Sequence, residues 1–164
     1  MRTQEQIDAD FAALLAREEE LRDMADQCCA MLDVPPVKLV LTRTESRACL
    51  GGADGHYVRA DKEVGLTSRV IPRGNPGAVL LHEIAHHVAA EFDLPRHRHV
   101  RIRAPRYGVT VINGKSYTGD PNKSKAAQEV IGWREQDNPH GLGFQVAKEA
   151  VDYVAGIMGW PPPI

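Results

Sequence analysis

No run of apolar residues in this chain approaches the roughly twenty needed to cross a bilayer, so a membrane-spanning helix is not expected. Cysteine is scarce. Cys28, Cys29 and Cys49 are an odd set without C-x-x-C spacing, which argues against a disulfide frame and against a cysteine-held metal. A dominant sign of charge is missing too: 20 Lys and Arg against 22 Asp and Glu leave a formal net charge of −2. No global field therefore points to nucleic acid or a membrane surface. The opening residues, Met1-Arg2-Thr3-Gln4-Glu5-Gln6, are polar and carry no signal-peptide core. These absences lead us to expect a cytoplasmic, soluble protein. Its 164 residues are most simply one domain with a real core.

What is present centres on His82-Glu83-Ile84-Ala85-His86. A turn signal at Asn75-Pro76-Gly77 precedes it, and Ala78 to Ala90 then runs without Pro or Gly. On a helix, His82 and His86 project from one face, with their rings in reach of one metal ion. Glu83 is rotated by about 100° and sits beside that metal without ligating it. This is the mechanical content of H-E-x-x-H: two imidazole ligands for Zn2+ and a general base. Val79, Leu80, Leu81, Ile84, Ala85, Val88 and Ala89 surround the polar residues and predict a largely buried helix. Polar groups in such a setting need partners, and a metal supplies them. His87 faces another side of the helix, where a structural role is expected.

Elsewhere the chain reads as follows. Thr3 and Gln6 form a capping box for one long helix whose stripe is Ile7, Phe11, Leu14, Leu21, Ala25, Cys28 and Leu32, stopped by Asp33-Val34-Pro35-Pro36. Arg17 to Glu20 and Arg22-Asp23 read as its solvated face. Val37–Thr42 reads as a strand, followed by short strands at His56–Val58 and Glu63–Thr67. The strand from Val64 to Thr67 is taken as the sheet edge bordering the metal cleft, where an extended peptide can add as a further strand. An Asn113-Gly114 turn between alternating residues predicts a hairpin over Val109–Thr118. Ser124–Glu135 reads as a helix burying Ala127, Val130, Ile131 and Trp133. Phe144, Ala147, Val151, Val154 and Met158 mark a last helix, closed by Gly159 and Pro161-Pro162-Pro163. Residues 95–138 thus form an inserted hairpin and helix, long enough to act as a lid.

A catalytic zinc commonly takes three protein ligands and keeps one position open. Ala89 and Phe92 stand where a metzincin needs Gly and His, which excludes that class. A later Glu (Glu129, Glu149 or Glu91) is a thermolysin-like choice. His97 and His99 lie in an arginine-rich run and read as surface residues, and His140 precedes the last helix.

The motif helix together with the downstream His140-Gly141-Leu142-Gly143-Phe144 resembles small zinc metallopeptidases of bacteria and phages. These are of the zincin type and share their layout with SprT-like proteases. The resemblance covers about half the chain. Leu142 and Gly143 depart from the Pro and acidic residue that many relatives carry there. It implies His140 as the third zinc ligand and an α+β zincin-like minimal metalloprotease domain; among the residues themselves, Glu149 is the first substitute for His140. That domain has a long N-terminal helix, a small sheet, the H-E-x-x-H helix and a C-terminal helix.

The function expected is zinc-dependent hydrolysis of a peptide bond, with His82, His86 and His140 on Zn2+ and Glu83 taking the proton of the attacking water. Tyr57, His56, Tyr107 and Tyr117 are candidates for stabilising the oxyanion. A cleavage switch acting on a repressor would share this chemistry. The alternative is a zinc-stabilised module that binds protein or nucleic acid without turnover. Arg96, Arg98, Arg101, Arg103 and Arg106 make a basic stripe suited to phosphate, though alternating Arg is usually a solvated face. A purely structural zinc site has no use for the base Glu83.

Overall fold

The computed structural model describes residues 2–43, 54–103, 110–112, 115–118 and 130–164, and the side chains within 2–43, 54–96 and 138–164. The capping box forms: Thr3 Oγ1 accepts from Gln6 N at 3.2 Å and Gln6 Oε1 accepts from Thr3 N at 2.9 Å. The helix it starts is not continuous. α1 (Gln4–Ala16) gives way at Arg17 to α2 (Glu18–Met31). Glu18, Glu19 and Glu20 fill the first turn of α2, where the positive end of the helix dipole favours carboxylates. Arg17 stays at the junction, its guanidinium bonded to Glu20 at 3.0 and 3.1 Å. The charge run that reads as a solvated face also begins a second helix. α2 ends at Leu32, and Asp33 turns the chain with a φ of 55°.

Two compact units result, residues 1–94 with 143–164 and residues 95–142. In the first, β1 (Lys38–Thr42), β2 (Gly55–Val58) and β3 (Glu63–Thr67) form a sheet of order β1-β3-β2. β1 pairs β3 in parallel and β2 pairs β3 antiparallel. The expected edge is therefore the centre: β1 takes the open side of β3, and β2 is the strand left at the edge nearer the helix that follows. A 3-10 turn at Ser68–Val70 leads into α3 (Pro76–Glu91). α4 (Leu142–Met158) closes the chain. Leu14, Leu21, Cys28, Leu66, Leu80, Leu81, Ile84 and Val151 are fully buried and make one core from all these helices and the sheet. Each such Leu or Ile contributes roughly 1.5–3 kcal/mol relative to exposure.

The second unit is a four-stranded antiparallel sheet of order β6-β5-β4-β7. Its strands are β4 (His97–Arg103), β5 (Thr110–Ile112), β6 (Lys115–Thr118) and β7 (Val130–Asp137). β5 and β6 pair antiparallel where the hairpin is expected, and Val109, Asn113 and Gly114 lie outside the described residues. Val130 to Glu135 is strand, not helix, paired with β4 from His97↔Asp137 to Arg103↔Val130. Val130, Ile131 and Trp133 are β-formers, Gly132 weakens a helix, and a seven-residue partner decides the matter. Ser124 to Glu129, and with them Ala127, lie outside the described residues. Among the described residues no helix is long and apolar enough to cross a membrane.

Candidate metal centre

α3 starts where its sequence says it should. Asn75 Oδ1 accepts from Ala78 N at 3.0 Å, and Pro76, with no N–H to lose, occupies the first turn. The helix is apolar nearly all round, with Leu80, Leu81, Ile84 and Ala85 wholly buried. His82 and His86 emerge half-buried on one face, their ring centroids 5.2 Å apart. Phe144, from the first turn of α4, packs against both, at 5.0 Å from His82 and 4.4 Å from His86. His82 Nδ1 donates to the main-chain oxygen of Ile164 at 2.8 Å.

His140 is exposed and sits in a turn closed by Asn138. Asn138 Oδ1 accepts from His140 N at 2.8 Å, and its main-chain oxygen accepts from Gly141 N at 2.9 Å. Ligand atoms of His82, His86 and His140 all lie within 4.8 Å of one another, close enough to hold one metal ion. Three imidazoles, one of them already hydrogen-bonded through its other ring nitrogen, are a donor set that suits zinc. The residues present fit the group.

Glu83, the next residue along the helix from His82, is 7% exposed and lies against β2. Burial pushes its carboxyl from 4.5 up to about 7. The backbone of β2 makes the room: a Cβ on Gly55 would stand 3.1 Å from Glu83 Cγ and 2.8 Å from Val79 Cγ1. Any side chain at position 55 would displace the acid or the valine. No local signal in the sequence marks Gly55 as the floor beneath Glu83.

His87 is wholly buried and belongs to a separate arrangement. Its Nε2 donates to Pro35 O at 2.7 Å, because a carbonyl only accepts. Nδ1 then accepts from the Tyr57 hydroxyl at 3.0 Å. Burial first, and Glu91 second, raise the Tyr57 pKa above its usual 10. Tyr57 is thereby committed to His87. His56, the other described oxyanion candidate, lies over Gly65 of β3 and 4.0 Å from Glu63. Glu91 pairs with Lys62 at 3.1 Å, and Glu149 is exposed; neither joins the histidine cluster. Glu129, Tyr107 and Arg106 fall outside the described residues. So do the side chains of His97, His99, Tyr117, Arg98, Arg101 and Arg103. Cys28 and Cys29 are buried free thiols, pushed up by burial to about 12 and about 11. Cys49 lies outside the described residues.

No protein-family model, curated protein or solved structure matches this chain.

Proposed function

We propose that this chain is a zinc-dependent metallopeptidase of the zincin type, SprT-like in layout and working in the cytoplasm on a protein or peptide substrate. The observation that carries the reading is the convergence within 4.8 Å of His140 with His82 and His86, the last two on the helix that also bears the buried acid Glu83. Zinc held by those three rings supplies a Lewis acid that acidifies water and polarises a peptide carbonyl. Glu83 is the base. With its carboxyl held near neutrality, it takes a proton from the attacking water and returns it to the departing amine. Phe144 packs against the two helical ligands and limits their rotation. A buried acid of raised pKa beside a ligand cluster favours turnover over a module that merely binds.

Elemental analysis tests this on wild type, His140→Ala and Glu83→Gln. The expected result is about one zinc per chain in wild type and Glu83→Gln, and much less in His140→Ala. Peptide cleavage should then be present in wild type and lost in Glu83→Gln. Zinc retained in His140→Ala would move the third ligand elsewhere, and zinc in none of the three would overturn the enzyme reading.

A further inference from the structure

α4 ends at Gly159, whose φ of 70° is the left-handed conformation that stops a helix. Trp160 N then donates to Ala155 O at 2.9 Å and its ring packs on the core. Three prolines follow, each with φ fixed by its ring, so the segment is stiff before it docks. Pro161 lies on the first turn of α3, where Gly77 leaves room: a Cβ there would be 3.3 Å from Pro161 Cγ. Pro163 is buried. Ile164 arrives 61% exposed, so apolar burial is not what places it. Its main chain is held instead, N to Ala78 O at 3.4 Å and O to His82 Nδ1 at 2.8 Å.

We propose that Gly159–Ile164 is a positioning strut for the metal centre, its Ile164 main-chain oxygen fixing His82 as the Nδ1–H tautomer with Nε2 presented to the metal. An oxygen of this kind only accepts, so Nδ1 carries the proton and the lone pair of the neutral ring is on Nε2. The hydrogen bond also sets the ring's rotation. The stiffness of the proline run is what makes the strut useful, because little freedom is lost when it meets α3. This inference rests on reading His82 as a ligand.

The test uses nitrogen NMR of the His82 ring in zinc-stripped protein, together with zinc affinity by chelator competition. It compares the full chain with one lacking 161–164 and one lacking only residue 164, which keeps Pro161 and Pro163 packed. The full chain should show Nδ1 protonated. Both shortened chains should lose that single tautomer and bind zinc about 10- to 100-fold more weakly. If the longer deletion does not fold, the removal of residue 164 decides alone. An unchanged tautomer with unchanged affinity overturns the strut and leaves the metal centre standing. A full chain that binds no zinc overturns the metal reading, and the tautomer alone then decides whether Ile164 positions His82.

Discussion

His82 and His87 stand five residues apart on one helix and are held as opposite tautomers. His87 uses both ring nitrogens inside the protein, Nε2 toward Pro35 and Nδ1 toward Tyr57. It ties α3 to β2 and to the turn after α2. His82 gives Nδ1 to Ile164, and its ring converges with those of His86 and His140. A histidine whose two nitrogens are both bonded to protein groups is part of the core's polar accounting. One whose ring converges with two other imidazoles is equipped to ligate. Sequence adjacency hides this, because His86 and His87 differ by about 100° of helix rotation and by everything that surrounds them.

The largest effect should come from exchanging the two roles. His86→Ala should take zinc content from about one per chain to near zero while leaving the fold intact, since the ring is only half-buried. His87→Ala should do the reverse. It leaves Pro35 O unsatisfied and opens a cavity in the core, costing about 3 kcal/mol and lowering Tm by roughly 6–12 °C with zinc retained. Calorimetry and metal analysis on both variants check this, and zinc loss in His87→Ala would break the division.

Next comes Glu83→Gln, which keeps the shape of the side chain and removes the base. Peptide hydrolysis should fall about 10²- to 10⁴-fold at unchanged zinc content. A variant that hydrolyses normally would mean that another group takes the proton.

A third consequence concerns pH. The folded-state pKa of Glu83 is raised by burial from 4.5 to about 7, so between those values the folded chain holds a proton that the unfolded chain has released. Stability of zinc-stripped protein is then greatest below about 4.5 on this account and falls as pH rises through 7, by about 3 kcal/mol. Denaturant titrations of wild type and Glu83→Gln across that range should show the slope only in wild type. Adding zinc should flatten it, since a nearby cation favours the carboxylate.

How much of this was legible in the sequence differs between the same two regions. The motif face was readable because H-E-x-x-H has fixed helical geometry, and Asn75-Pro76 marked where the helix begins. The surroundings of Glu83 and His82 were not. Gly55 lies twenty-eight positions from Glu83 and Ile164 eighty-two from His82, and no period links them. Local pattern also misread Val130 to Glu135, where pairing with β4 outweighed an apparent helical spacing. It missed the break at Arg17, where no Pro or Gly announces the end of α1.

The smallest effect tests the structural side of the comparison most finely. Tyr57→Phe keeps the ring packed beside His87, now 5.6 Å away by centroids, and removes only the hydroxyl that donates to Nδ1. The cost is one buried hydrogen bond, about 1 kcal/mol, or roughly 2–4 °C in Tm. Zinc affinity and peptide hydrolysis should stay at wild-type levels, because Tyr57 is bonded to His87, which lies outside the histidine cluster. A drop in hydrolysis without a drop in Tm would place the Tyr57 hydroxyl on the substrate. The hydrogen bond to His87 would then be a resting contact and not the tyrosine's working one.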